Sequence, residues 1–226
     1  MIVAIDGPAG AGKSTVARAV ARRMGVAYLD TGAMYRALTW LAGQRGIAPS
    51  DADALAALAR EEPIGVEPTD DGDRVSIAGM DVTDAIRDPD VAARVSEVSA
   101  HPGVRAEMVA AQRAVMSYGS WVSDGRDVGS AVVPGAELKV FLTASLEERA
   151  RRRQSDLAHR GVTMDLDQVL EDVRRRDHLD STRAASPLRV ADGAIVIDSS
   201  ELDADEVADL IVRLVEDLRE SGGVPR

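Results

Sequence analysis

Apolar residues along the chain fall in short runs that alternate with stretches of helical period. Residues 2–5 are continuously apolar and are closed by Asp6-Gly7, which predicts a buried parallel strand. Residues 13–24 place Val16, Ala17, Val20, Ala21 and Met24 on one helical face, with Gly25 as the stop. A second strand is expected at 26–29 and a second helix at 33–45, ended by Gly46. Residues 121–123, 138–142 and 194–197 read as three more apolar strands, with Trp121 and Phe141 expected in the core. Helical patterns at 146–159, 166–179 and 205–218 separate or follow them. Strands alternating with helices predict an α/β fold on a mostly parallel sheet, here of five strands.

One segment departs from this rhythm. Around 64–82 the chain alternates, passes Asp70-Asp71-Gly72-Asp73, and alternates again, which predicts an antiparallel hairpin. Helical stretches at about 89–100 and 102–118 follow, and 64 to about 100 reads as an insert. The tail 221–226 is expected to fray.

The chain has 226 residues, no cysteine and a formal net charge of −11. Without cysteine there is no disulfide, thiolate metal site or cysteine nucleophile. The negative charge disfavours generic binding to nucleic acid or anionic membranes. No long apolar stretch reads as a signal peptide or a membrane span, so the expected location is cytoplasmic. His101, His159 and His178 are scattered without metal-ligand spacing. Of the 27 basic residues only Lys13 and Lys139 are lysine, and ten arginines lie between Arg149 and Arg189. An arginine-dense stretch in an acidic chain points to a local anion site, because guanidinium forks match phosphate oxygens.

The first strand leads into Gly7-Pro8-Ala9-Gly10-Ala11-Gly12-Lys13-Ser14, which fits the phosphate-loop pattern and, with Thr15 next, opens a helix as that mechanism requires. Glycines let backbone N–H groups turn toward a phosphate, and the helix N-terminus adds partial positive charge. Lys13 can reach the β- and γ-phosphates of ATP, and the Ser14 hydroxyl can ligate Mg²⁺. No Asn-Lys-x-Asp guanine-reading motif is present. The small size, the insert and the arginines favour a small-molecule kinase over a GTPase or a motor.

The strand at 121–123 runs into Asp124-Gly125-Arg126-Asp127, where ligands of parallel sheets gather. Asp124 is placed to hold Mg²⁺ through water, and Arg126 to hold a phosphate. A phosphate acceptor needs charge neutralisation and alignment more than a base. Arg149, Arg152 and Arg153 share one helical face and are the candidates for ATP phosphates on a mobile flap; Arg151 is left to solvent, and Arg160 follows.

Four blocks then resemble bacterial cytidylate kinases, phosphate-loop nucleoside monophosphate kinases, over nearly the whole chain. They are Ile5 to Ser14, Leu29-Asp-Thr-Gly-Ala-Met-Tyr-Arg36, Asp124-Gly-Arg-Asp-Val-Gly129, and Arg176-Asp177 with Asp180, Arg183 and Pro187-Leu188. The resemblance implies transfer of the γ-phosphoryl group of ATP to CMP or dCMP with Mg²⁺, in a monomer. It implies a core (1–30, 120–145, 190–226), an enlarged monophosphate-binding region (31–119) whose insert at about 64–100 holds a small antiparallel sheet, and a lid (146–165). Residues 166–189 form a core helix and an acceptor-contacting loop.

The resemblance also implies roles. Arg36 and Arg126 clamp the CMP phosphate with Arg183 nearby, and Lys13, Arg126, Arg183, Arg149 and Arg153 serve the transfer. Ser96, Arg105 and Asp127 read cytosine, Arg176 and Asp180 address the sugar, and Thr31 lies near the monophosphate. Uracil reverses the donor and acceptor of cytosine at C4 and N3, so activity on UMP is expected to be weak. Other readings are a related kinase of UMP or a cofactor precursor, and a nucleotide-binding regulator without turnover.

Overall fold

The computed structural model describes residues 1–69, 72–159 and 161–222. The expected Asp70-Asp71 tip, Arg160 and residues 223–226 of the tail lie outside them. The chain divides into two compact units, Met1–Tyr28 with Gly119–Thr182 and Ser186–Arg226, and Leu29–Tyr118 with Arg183–Ala185.

The first unit is built on the five-stranded parallel sheet, an α/β core. β1 (Ile2–Asp6) is the middle strand, because its apolar run can be buried on both faces. The strand order is β2-β6-β1-β7-β8, with β2 at Ala27–Asp30, β6 at Trp121–Gly125, β7 at Leu138–Thr143 and β8 at Ile195–Asp198. β1 runs parallel to β6 with Ile5 opposite Asp124, and parallel to β7 with Asp6 opposite Phe141. Val3, Ile5, Val122, Val140, Leu142 and Ile197 form the core with two helices, α1 (Lys13–Met24) and α8 (Ala204–Glu220). Trp121 and Phe141 are only half-buried, against expectation. Phe141 alternates out of β7, while Leu138, Val140 and Leu142 point into the core.

Within the same unit α6 (Leu146–His159) and α7 (Leu166–Thr182) pair through Ala150, Leu157, Val169 and Val173. A one-turn π-helix at Val128–Val132 follows β6.

The second unit holds α2 (Thr31–Gln44), α3 (Ala52–Glu61), α4 (Pro89–Val98) and α5 (Pro102–Val115) around Met34, Leu38, Leu55, Ile77 and Met108. Its antiparallel sheet is β3 (Ile64–Thr69), β4 (Gly72–Ile77) and β5 (Met80–Asp81), with Ile64 opposite Ile77. The hairpin matches the alternation, whereas α3 and β5 were not expected. Asp51 caps α3 by accepting the Ala54 N–H at 3.1 Å, and Leu55 and Leu58 bury one side of it. β5 has two exposed residues, too few to carry an alternation. No helix among the described residues is long and apolar enough to cross a membrane.

Candidate active site

The loop between β1 and α1 is shaped by its glycines. Gly7 has φ +156°, and a Cβ there would fall 1.9 Å from the Leu142 carbonyl oxygen. Gly10 has φ +77°, and its Cβ would fall 2.7 Å from the Arg149 carbonyl oxygen. The loop is thus packed between β7 and α6 at separations that only glycine permits. It delivers the α1 N-terminus, an anion-binding end, next to Lys13 and Ser14. Thr15 is exposed.

Lys13 is buried and donates from Nζ to the Pro8 carbonyl at 2.8 Å across the loop. Burial, with Arg126 adding to it, pushes its pKa from 10.5 down to about 7, against the pull of Asp124, Asp180 and Asp6. Ser14 Oγ donates to Asp124 Oδ2 at 2.9 Å, and the Tyr28 hydroxyl donates to Asp124 Oδ1 at 2.6 Å. Asp124 is itself buried at the end of β6. The Ser14 hydroxyl and the Asp124 carboxylate are hard oxygen donors, a set that suits Mg²⁺, which completes its shell with water and phosphate oxygens. Among the described residues no group of three or more His, Cys, Asp or Glu side chains could hold a metal.

Arg126 donates Nε–H to Asp180 Oδ2 at 2.7 Å. Burial works against its charge, but Asp180, helped by Asp124 and Asp177, outweighs it and raises the pKa above the ordinary arginine value. Asp6 is buried at the end of β1 and accepts the Val128 and Gly129 N–H groups at 2.8 and 2.7 Å. Burial, opposed by those two bonds, moves its pKa from 3.8 up to about 6. Arg176 lies 3.1 Å from Asp172, and burial holds its pKa below the ordinary arginine value. Asp127 is buried, and its carbonyl opens the π-turn by accepting the Ala131 N–H at 2.8 Å.

The arginines of α6 are engaged with protein. Arg149 is buried and donates to the carbonyls of Ala144 (3.0 Å) and Ala9 (3.2 Å) and to Asp177 Oδ2 (2.6 Å). Arg152 donates to Glu148 Oε1 at 2.9 Å, Ser199 Oγ at 3.0 Å and the Ser199 carbonyl at 2.6 Å. Arg153 is half-buried, and Arg151 is exposed beside Glu148.

The remaining candidates belong to the second unit. Asp30 caps α2 through the Ala33 N–H at 2.9 Å and takes Arg36 Nη2 on its other oxygen at 2.7 Å. Thr31 is buried at the start of α2. Arg105 is buried, donates to the Ser99 carbonyl at 3.1 Å and lies 5.4 Å over the Tyr35 ring. Ser96 is half-buried on α4, and Arg183 is buried.

Lys13, Ser14, Asp124, Arg126 and Asp180 are therefore brought together in the first unit. Thr31, Arg36, Ser96, Arg105 and Arg183 lie in the second. Sequence reasoning gave no part to Asp6, Tyr28 or Ser199. For Asp6 a signal was present, since a carboxylate closing a buried apolar run must find donors.

A phosphate loop on the middle strand of a parallel sheet, with an acidic residue on the neighbouring strand beside its serine, defines a P-loop nucleotide-binding protein of the α/β class. The family model for cytidylate kinase matches residues 3–217. The chain belongs to the cytidylate kinase family. It is 48% identical to a cytidylate kinase from Geobacillus sp. (strain WCH70), over 94% of this chain and 95% of that one. The cytidylate kinase from Geobacillus kaustophilus is 50% identical with the same coverage. A bifunctional pantoate ligase/cytidylate kinase from Synechococcus sp. (strain JA-3-3Ab) is 51% identical over 98% of this chain, which spans 42% of that relative's length. A solved shikimate kinase from Acinetobacter baumannii aligns with 96% of this chain and 93% of its own at 16% identity and a TM-score of 0.46, too loose a likeness to identify anything.

Proposed function

We propose that the protein transfers the γ-phosphoryl group of ATP to CMP or dCMP, giving ADP and CDP or dCDP. The observation that carries this reading is the approach of Ser14 to Asp124 at 2.9 Å, with Arg126 two residues further on and held by Asp180. Family membership supplies the acceptor.

The backbone N–H groups of the 7–14 loop and the α1 N-terminus hold the ATP phosphates, and Lys13 neutralises the β- and γ-phosphates. Ser14 and Asp124 are the residues that would hold Mg²⁺, Asp124 through water, and the bound ion would supply charge neutralisation on the phosphates. Thr15 stands with the phosphate loop at the start of α1. Arg126, Arg36 and Arg183 are the cations proposed for the acceptor phosphate, and Thr31 its hydroxyl donor. The acceptor phosphate is already anionic, so the protein's task is to neutralise and align, and no strong base is required.

Ser96, Arg105 and Asp127 read cytosine, and Arg176 and Asp180 address the sugar. Residues 146–165 act as the lid, with Arg153 reaching the ATP phosphates, Arg149 fixing the lid's root to the loop at Ala9 and Arg152 fixing it to Ser199. The protein acts as a cytoplasmic monomer on small molecules, without a nucleic-acid or membrane partner.

A coupled ADP-release assay with Mg-ATP and CMP, dCMP, UMP, AMP or GMP tests the reading. Turnover on CMP and dCMP with little on the others is expected. Turnover on another acceptor would keep the kinase reading and discard the base-reading roles. ATP binding without acceptor-dependent turnover would leave a regulator.

A further inference from the structure

β6 ends at Gly125, and the chain passes Arg126 and Asp127 before turning through the one-turn π-helix at Val128–Val132. The first N–H groups of such a turn have no partner within it. Here they belong to Val128 and Gly129, and one side chain from another strand takes both. Asp6 accepts the Val128 N–H on Oδ1 at 2.8 Å and the Gly129 N–H on Oδ2 at 2.7 Å. Asp6 lies opposite Gly125 in the β1–β6 register, so its carboxylate reaches past the end of the neighbouring strand to hold the backbone just beyond Arg126.

Both oxygens are used, and the residue is 3% exposed. A carboxylate is costly to bury, and an apolar side chain would close β1 more cheaply. The charge at this place is accounted for by the two N–H groups it must accept. The phosphate-loop pattern begins only at Gly7, so the pattern itself does not call for an acid at position 6.

We infer that Asp6 is a positioning residue for Arg126: by gripping the start of the turn it fixes the segment that presents the arginine, and it couples that segment to the strand leading into the phosphate loop. The inference rests on the role proposed above for Arg126 at the acceptor phosphate. Misplacing such a cation by about 1 Å can lower turnover by about 100-fold.

The test is a double-mutant cycle in the full chain. Asp6→Asn keeps the shape but has one acceptor oxygen, and it turns an NH₂ group toward one of the two backbone N–H groups. Alone it is expected to lower kcat with CMP by about 10- to 100-fold. The Kd for ATP, measured by equilibrium binding, is expected to move by no more than about 2-fold. In an Arg126→Ala background the same change should cost no more than about a further 2-fold, because the group it positions is gone.

Gly129→Ala supplies a second route if Asp6→Asn fails to fold. Its Cβ would lie 3.3 Å from Asp6 Oδ2 and 3.3 Å from Lys139 Cγ, straining the same grip while the carboxylate stays. It should show a smaller loss with the same non-additivity. Losses that multiply, or an ATP affinity that falls as far as kcat, would overturn the inference and leave Arg126 in its role. Wild-type turnover in Arg126→Ala alone would instead overturn the reading of Arg126, and the inference with it.

Discussion

Arg126 and Asp180 are joined at 2.7 Å, which ties the loop after β6 to the last turn of α7. A guanidinium has five N–H donors, so this bond at Nε does not exhaust its capacity for a phosphate. Asp180 thus both stabilises the cation and sets its direction. Arg126→Ala is expected to lower kcat/KM for CMP at least ~100-fold, the range for losing a transition-state charge stabiliser. It also removes one of several cations around the Asp180 carboxylate, at a cost of roughly 2 kcal/mol of stability, the range for a hydrogen bond to a charged group. Steady-state kinetics and a denaturant titration check the two effects, and near-wild-type turnover in the folded variant would remove Arg126 from the mechanism.

Lys13 carries a conflict between binding and stability. Its folded pKa of about 7 lies below its ordinary 10.5 because burial disfavours the ammonium. Below pH 7 both folded and unfolded chains hold the proton, and the burial cost is present in full. From about 7 to 10.5 the folded chain gives up its proton first, so this group's contribution makes the fold more stable as pH rises, by at most about 1.4 kcal/mol per pH unit. Lys13→Met should therefore abolish turnover and compare more favourably with wild type at pH 6 than at pH 9. Unfolding free energies of both proteins at the two pH values decide it; the reverse ordering would show that burial does not lower the Lys13 pKa.

Arg149 is bonded to the carbonyls of Ala9 and Ala144 and to Asp177, inside the protein. Its backbone oxygen is also the atom that a side chain at Gly10 would strike. The arginine therefore holds α6 against the phosphate loop. Arg149→Met is expected to cost about 2 kcal/mol of stability or more, the range for hydrogen bonds to charged groups. ATP affinity should fall with it. Arg151→Met, on the exposed side of the same helix, should change stability by less than about 0.5 kcal/mol. Equal effects of the two substitutions would show that burial of Arg149 does not matter.

These cases show what the sequence could carry. Helix 13–24 ends where its periodicity and the Gly25 stop place it, and helix 146–159 where its periodicity does, because those signals are local. The phosphate loop is contiguous and equally legible. α3 was missed although Asp51, Leu55 and Leu58 marked a cap and a face, because alanine fills most of its other positions and gives little contrast. Periodicity put Arg149, Arg152 and Arg153 on one face, but not what that face meets. Asp177 lies 28 residues from Arg149, and Ser199 lies 47 from Arg152. Asp6 and Gly129 are 123 residues apart. Such partners are set by how α6 packs on α7 and by how the strands line up in the sheet, which no local pattern records.

Base reading gives the last prediction. Cytosine presents an amino donor at N4 and acceptors at N3 and O2, while uracil presents the opposite pattern at N3 and C4. Asp127 is buried and offers a carboxylate acceptor; Arg105, also buried, offers only donors. Arg105 is fixed by the Ser99 carbonyl and stacked over Tyr35, so its direction is set before any ligand arrives. A site that pairs with one base edge rejects the mismatched base because its own buried groups are left unpaired. Removing one such group should therefore hurt the matched base more than the mismatched one. Asp127→Ala is expected to reduce the ratio of kcat/KM for CMP to that for UMP by at least about 10-fold, the loss of roughly one charged hydrogen bond. The KM for ATP should stay within about 2-fold. Parallel kinetics with both acceptors measure the ratio directly. If CMP and UMP lose equally, Asp127 supports the loop and does not read the base.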